Sequence, residues 1–203
     1  MRILITGANG FVGSHISTHL SGVGMRCVAL DLPNMEPRGQ YAERYTWEEL
    51  ATLDPRSFDG VIHLAGKAHD TRNTSNAESY FWINVGLTQT LGTFFFNDEE
   101  QRTKPFIFFS SVKACADTVQ GILTEDRVPD PQTPYGQSKY AAEKEVLQFA
   151  CVQSGEALSN SGTYILRPAM IHGPGNKGNL NLLYRVAKWG LPWPLGSFDN
   201  QRS

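Results

Sequence analysis

The sequence predicts an α/β fold with a doubly wound parallel sheet, and three observations predict it. Short apolar runs alternate with helical patterns, a glycine-rich turn separates the first run from the first helix, and an aspartate closes the second run. The runs are Arg2 to Ile5, Cys27 to Leu30, Val61 to Leu64, Phe106 to Phe109 and Tyr164 to Leu166. They are continuous rather than alternating, which suits strands buried on both faces of a parallel sheet. Helical spacing marks Phe11 to Leu20, about Ser79 to Phe96, about Gly136 to Gln153 and about Asn181 to Lys188. Strand–helix alternation on this scale covers both faces of the sheet with helices. A third strand is expected between Pro33 and Thr52, with Arg44 to Trp47 as its candidate.

Composition narrows the class. The 203 residues are 40% hydrophobic and 19% charged, with 19 glycines and 11 prolines, an ordinary profile with enough apolar material for a core. A formal net charge of −2 supplies no basic field for nucleic acid or an anionic membrane. No apolar run approaches the ~20 residues of a membrane helix. The segment Met1-Arg2-Ile3-Leu4-Ile5 reads as a first strand and not as a secretion signal. Cys27, Cys115 and Cys151 are odd in number and widely spaced, so neither a disulfide framework nor a zinc cage is expected. Three reduced thiols suit a cytoplasmic protein. His15 and His19 have metal-ligand spacing on a helix, but no third ligand accompanies them, and no metal is expected.

The turn is Thr6-Gly7-Ala8-Asn9-Gly10-Phe11-Val12-Gly13, after a strand and opening a helix. A pyrophosphate needs backbone to approach it with no side chain in the way, and it gains from the N–H groups and positive end of a helix. Gly7 makes the tight turn, Gly10 allows the close approach, and Gly13 lets helix and strand pack. Asp31 stands 18 residues beyond Gly13. A carboxylate there accepts both adenosine-ribose hydroxyls and repels a 2′-phosphate, which favours NAD over NADP.

Tyr135 and Lys139 stand four apart at the start of a predicted helix, on one face. A free tyrosine titrates at about 10, whereas acid–base work wants it nearer 7, and a neighbouring ammonium favours the phenolate. Ser111 lies 24 residues upstream of Tyr135, at the carboxyl edge of a strand where such sheets bind ligands. Its hydroxyl can hold a substrate oxygen while Tyr135 takes or gives the proton. Ser110 is the alternative for the serine.

The glycine spacing is GxxGxxG, not GxGxxG. Together with His63-Leu64-Ala65-Gly66, Asn84-Val85, Ser110-Ser111, Pro134-Tyr135-Gly136-Gln137-Ser138-Lys139, and Leu166-Arg167-Pro168 leading to Gly173-Pro174-Gly175, it resembles an extended short-chain dehydrogenase/reductase of the NAD-dependent epimerase/dehydratase family. The resemblance implies a Rossmann domain over residues 1–172 and the beginning of a nucleotide-sugar-binding region over 173–203. It implies that Ser111 orients the substrate, that Tyr135 is the acid/base, and that Lys139 lowers the tyrosine pKa and holds the nicotinamide ribose. NAD contacts are then expected from Gly7, Asn9, Gly10, Phe11, Val12 and Gly13 in the turn, and from Asp31 and Leu32. They are also expected from Leu64, Ala65 and Gly66 beneath the dinucleotide, and from Ser110, Tyr135, Lys139 and Pro168. Substrate contacts are expected from Lys67, Asn84, Ser111, Asn179 and Arg202, with Asn179 and Arg202 on the diphosphate. His69 is a further residue within reach of the substrate.

Sugar dehydratases of the family carry an acidic pair directly after the catalytic hydroxyl residue. Val112 and Lys113 stand there in this chain, which argues against dehydration. The leading expectation is an NAD-dependent nucleotide-sugar 4-epimerase of the UDP-hexose class. The alternatives are a keto-deoxy nucleotide-sugar reductase and a non-catalytic NAD-binding module. Family members usually continue past the Arg202 position, so the chain reads as C-terminally truncated, with NAD binding expected and turnover weak if it acts alone. The resemblance also implies a homodimer, in which the helix that contains Asn84 and the one that contains Lys139 pack against their mates; Phe81, Leu87, Leu91, Phe94 and Phe95 give the first of these more apolar surface than one face needs.

Overall fold

The computed structural model describes residues 1–36, 38–67, 76–97, 99–119, 121–151, 162–175 and 180–189. Two compact units divide at Pro168: Met1–Pro168 and Ala169–Ser203. The first holds a six-stranded parallel sheet of order β3-β2-β1-β4-β5-β6. Its strands are β1 (Arg2–Thr6), β2 (Arg26–Asp31), β3 (Glu43–Thr46), β4 (Gly60–His63), β5 (Phe106–Phe109) and β6 (Thr163–Leu166). The chain winds outward from β1 in one direction through β3 and then returns to β4. The switch point, where ligands bind in such sheets, therefore lies at the carboxyl ends of β1 and β4. This is the Rossmann arrangement expected from the sequence.

Helices α1 (Phe11–Gly22), α2 (Ala77–Phe95), α3 (Glu99–Thr103) and α4 (Pro134–Cys151) complete the unit. Strand side chains alternate between the two faces. Leu4, Val28, Leu30, Val61, Phe106 and Phe108 pack with Leu91 and Phe95 of α2 and Ala142 and Val146 of α4. Ile3, Ile5, Cys27 and Ile62 face the other way, with Ile16 and Leu20 of α1. Each fully buried Phe or Leu contributes about 1.5–3 kcal/mol relative to exposure. The inner strands are buried on both faces, as their continuous apolar runs predict. At the edge, β6 leaves Tyr164 and Leu166 exposed.

The third strand ends one residue before the predicted Trp47, because Trp47–Thr52 turns into a 3-10 helix. Thr46 caps that helix through a reciprocal bond with Glu49. α2 starts two residues earlier than its apolar pattern, where the Asn76 side chain accepts the Glu78 N–H. Leu91 and Phe95, read as surplus apolar surface, are fully buried in the chain's own core, whereas Phe81 and Trp82 are exposed. α3 carries no apolar periodicity and was not expected. In the second unit the described helix is α5 (Leu180–Lys188).

Candidate active site at the sheet switch point

Gly7 takes φ +63°, the left-handed conformation that glycine alone adopts without strain. Its N–H donates to Leu30 (3.1 Å), and a Cβ there would stand 2.8 Å from the Ala65 nitrogen. The turn is thus pressed between the ends of β2 and β4, with Leu64 and Ala65 against it. A Cβ on Gly13 would stand 2.6 Å from the Gly7 carbonyl oxygen, so this glycine serves the packing of α1 on the turn. At Gly10 a Cβ would meet the Gly7 carbonyl at 3.0 Å and otherwise open space. Gly10 also caps α1 without a side-chain hydrogen bond, so no side chain covers that end of the helix. The Tyr41 hydroxyl braces the turn by donating to the Ala8 and Gly13 carbonyls (2.7 and 3.0 Å), and burial pushes its pKa up to about 12.

Asp31 ends β2 half-buried. Its carboxylate accepts the Asn9 N–H (2.7 Å) and the Leu32 N–H (2.9 Å), tying the strand end to the turn. Leu32 itself is exposed. The Asn9 side-chain oxygen accepts from the Arg38 N–H and the Arg44 guanidinium (3.0 and 3.2 Å). Phe11 and Val12 stand half-buried in the first turn of α1.

On the other side of β1 the start of α4 is assembled from several loops. Thr133 precedes Pro134, a residue preorganised for a first helical position. The Asp117 carboxylate accepts the Gln132 N–H, the Thr133 N–H and the Thr133 hydroxyl. Burial opposes the Asp117 charge, but these bonds hold its carboxyl below the usual range. A Cβ on Gly136 would collide with the Lys113 carbonyl oxygen, so α4 starts directly against the 3-10 turn Val112–Ala114. That contact brings Ser111, which caps the turn through the Lys113 N–H (3.2 Å), to Tyr135. Burial pushes the Tyr135 phenol up, the hydrogen bond with Ser111 pulls it down, and nearby Tyr80 pushes it up. The net direction is upward, because burial is the largest of the three. Lys139 Nζ donates to the Phe109 carbonyl (2.6 Å) and lies 4.5 Å from the Phe108 ring centroid. Burial pushes the Lys139 pKa down to about 8, against the pull of Glu143.

Of the two serines, Ser111 reaches the tyrosine. The Ser110 hydroxyl is buried with no hydrogen-bond partner among the described residues, while its N–H donates to Leu166 (2.7 Å). Pro168 lies beside this turn, its carbonyl accepting the Val112 N–H (3.2 Å). Asn84 is fully buried: its side-chain oxygen accepts the Lys67 N–H (2.7 Å), and its nitrogen donates to Lys67 O (3.3 Å) and Ser138 Oγ (2.9 Å). Ser138 in turn donates to the Tyr135 carbonyl (2.8 Å). A Cβ on Gly66 would stand 2.8 Å from Asn84 Oδ1 and 3.8 Å from Lys139 Nζ, so these three residues converge. The Lys67 ammonium is held on Ser79 Oγ (2.8 Å), 5.1 Å from the Tyr80 ring centroid. His69, Asn179 and Arg202 lie outside the described residues. Among the described residues, no group of three His, Cys, Asp or Glu side chains is placed to hold a metal.

Sequence reasoning missed one network. The Thr6 hydroxyl accepts the Leu64 and Ala65 N–H groups (3.1 and 3.0 Å), so its proton goes to His63 Nδ1 (2.6 Å). His63 Nε2 then donates to Thr88 Oγ1 (3.0 Å), whose proton goes to the Asn84 carbonyl (2.7 Å). This pattern fits one tautomer of neutral His63, and burial and the Lys139 charge hold its pKa down at about 3. Hydroxyls at strand and helix positions carry no motif that would have exposed the network.

Residues 3–190 match the NAD dependent epimerase/dehydratase family. The chain belongs to this family. It is 30% identical over 211 aligned residues to a UDP-glucose 4-epimerase of Vibrio cholerae, covering 99% of this chain and 61% of that protein. It is 28% identical to a GDP-6-deoxy-D-mannose reductase of Pseudomonas aeruginosa, over 87% of this chain and 54% of the relative. Among solved structures it is similar to MoeE5 in complex with UDP-glucuronic acid and NAD. That match has a TM-score of 0.71 and 28% identity, over 92% of this chain and 61% of the other. The chain therefore spans less than two thirds of the length of these members of the NAD-dependent epimerase/dehydratase family.

Proposed function

We propose that the chain carries the NAD-binding and proton-transfer half of a nucleotide-sugar 4-epimerase of the UDP-hexose class. The carrying observation is the Ser111–Tyr135 hydrogen bond at the switch point, one helical turn from Lys139 and across β4 from the glycine turn anchored by Asp31. The turn fits NAD: the open side of Gly10 and the uncapped end of α1 suit a pyrophosphate, and Asp31 keeps acceptor capacity for ribose hydroxyls. NAD, when bound, supplies a reversible hydride acceptor.

The residues do the rest. Ser111 Oγ donates to the C4 oxygen of the sugar and holds it at the Tyr135 phenol. Tyr135, once deprotonated, takes the C4 hydroxyl proton and later returns it. Lys139 would hold the cofactor ribose, and its charge there would offset the burial that holds the Tyr135 phenol up. Val112 and Lys113 stand where a dehydratase of the family carries its acidic pair, and the Lys113 ammonium is engaged by Asp117, which argues against expulsion of a sugar hydroxyl. In this reading Asn179 and Arg202 bind the diphosphate, and exposed Phe81 and Trp82 on α2 pair two copies, which light scattering tests. Incubating the full-length protein with NAD and UDP-hexoses and following C4 inversion tests the activity; absence of inversion with cofactor bound rejects it. Similarity to the GDP-6-deoxy-D-mannose reductase favours a second reading, a keto-deoxy nucleotide-sugar reductase on the same residues. Steady consumption of NADH or NADPH selects that reading over an epimerase, which regenerates its cofactor.

A further inference from the structure

Lys139 is 6% exposed and Glu143, one turn further along α4, is 2% exposed. An ammonium and a carboxylate at this spacing share a helix face. The Glu143 carboxylate is gripped side-on by Arg167, with Nε–Oε1 at 2.8 Å and Nη2–Oε2 at 2.7 Å. Arg167 directly follows β6 and precedes Pro168, whose carbonyl holds the Ser111 turn through the Val112 N–H. The charged and titratable groups around the ammonium are Tyr135 and Glu143 on its own helix, His63 on β4 and, beyond Glu143, Arg167. His63 is kept neutral by its burial and by the Lys139 charge, and the Phe109 carbonyl carries only a dipole. Glu143 is therefore the anion that acts on Lys139, and it favours the charged form against burial.

We propose that Glu143, clamped by Arg167, is a positioning residue for this site: the buried counter-ion that keeps the Lys139 ammonium charged and seats α4 on the segment leading to Pro168. The proposal rests on the reading of Lys139 as the cofactor-ribose contact. The Glu143 carboxylate is ion-paired with Arg167 (2.7 Å), while the Lys139 ammonium is hydrogen-bonded to the Phe109 carbonyl, so the carboxylate acts on the ammonium through space from one helical turn away. Removing either partner of the carboxylate has an opposite consequence for the remaining one. Glu143→Gln takes away the counter-charge with little change of shape. Arg167→Gln leaves the carboxylate wholly to Lys139.

The test follows the Lys139 titration by its 13Cε resonance, assigned through its loss in Lys139→Arg. Glu143→Gln lowers the midpoint by about one unit or more, Arg167→Gln raises it, and Glu143→Asp restores most of the loss. A midpoint moved from about 8 to about 7 leaves roughly a tenth of the lysines charged at about pH 8, against half before. NAD affinity of Glu143→Gln then falls about fivefold at that pH and recovers at about pH 6. An ion pair that serves only packing loosens α4 in both variants, moves the two midpoints in the same direction or not at all, and gives a pH-independent affinity loss. That result overturns the proposal. Should Glu143→Gln fail to fold, the direction of the Arg167→Gln shift decides. The midpoints need no turnover, so a chain that epimerises nothing still reports. Midpoints that move as stated, with NAD affinity flat in pH, uphold the counter-ion and reject the ribose contact.

Discussion

The turn after β1 is made of backbone, whereas the cluster at the start of α4 is made of buried side chains. Gly7, Gly10 and Gly13 work by what they lack, and no proton equilibrium enters their geometry. Ser111, Tyr135 and Lys139 work by what they carry, and burial shifts the charge state of both the phenol and the ammonium. The first kind of site tolerates pH and fails under steric insult. The second kind tolerates small steric changes and fails when a charge or a hydroxyl is removed. The two meet at Gly66, where the strand end beneath the turn approaches both Asn84 and Lys139.

Four measurements sharpen that contrast. Tyr135→Phe has the largest expected effect: UDP-hexose turnover falls by about 10²–10⁴-fold while NAD binding and the melting temperature hold, because one proton carrier is lost and no packing. Retained turnover would reassign the acid/base. Gly7→Ala forces a side chain into positive φ and onto the Ala65 backbone, so unfolding by urea should find about 2–4 kcal/mol less stability. Gly10→Ala, with ordinary backbone angles and a single tight approach of 3.0 Å to the Gly7 carbonyl, should lose less stability than Gly7→Ala, about 1 kcal/mol, yet bind NAD about tenfold more weakly by calorimetry. Equal losses of stability in the two variants would erase the distinction between them.

The smallest effect is a slope. The folded-state pKa of His63 is depressed to about 3 from 6.5, so between those values the unfolded chain takes up a proton that the folded chain refuses. The stability this neutral histidine represents is complete above pH 6.5 and is lost as the pH falls, at up to about 1.4 kcal/mol per pH unit. Urea midpoints between about pH 6.5 and 5, above the main carboxylate range, measure it. His63→Asn should flatten the slope, and an unchanged slope would place the acid sensitivity elsewhere.

Five strands and the four main helices were legible because burial on both faces of a parallel sheet writes continuous apolar runs, and α1, α2 and α4 repeat at helical spacing. β3 was faint for a physical reason: Glu43–Thr46 is an edge strand whose side chains mostly face water and charge partners, so its apolar signal is thin. The glycine turn and Ser111, Tyr135 and Lys139 were legible because each needs one residue type at one spacing. Asp117, Thr6, Thr88, Ser138 and Glu143 were not, since each meets its partner only after folding: Asp117 finds Thr133 across 16 residues, and Thr6 finds His63 across 57. The resting place of the Lys139 ammonium was not legible for the same reason. Spacing on a helix put Tyr135 and Lys139 on one face, but the Phe109 carbonyl, 30 residues from Lys139, claimed the ammonium.

The Thr6–His63–Thr88 relay has a consequence for how the chain assembles. Parallel neighbours β1 and β4 are joined only through long crossovers, and their apolar side chains fit several alignments nearly as well. A slip of β4 by one residue would turn His63 to the opposite face and strand three polar groups in hydrocarbon. The relay thus acts as a proofreader: it rejects misaligned pairings that greasy contacts alone would accept, and it does so at the strand ends where the dinucleotide turn must later meet the catalytic helix.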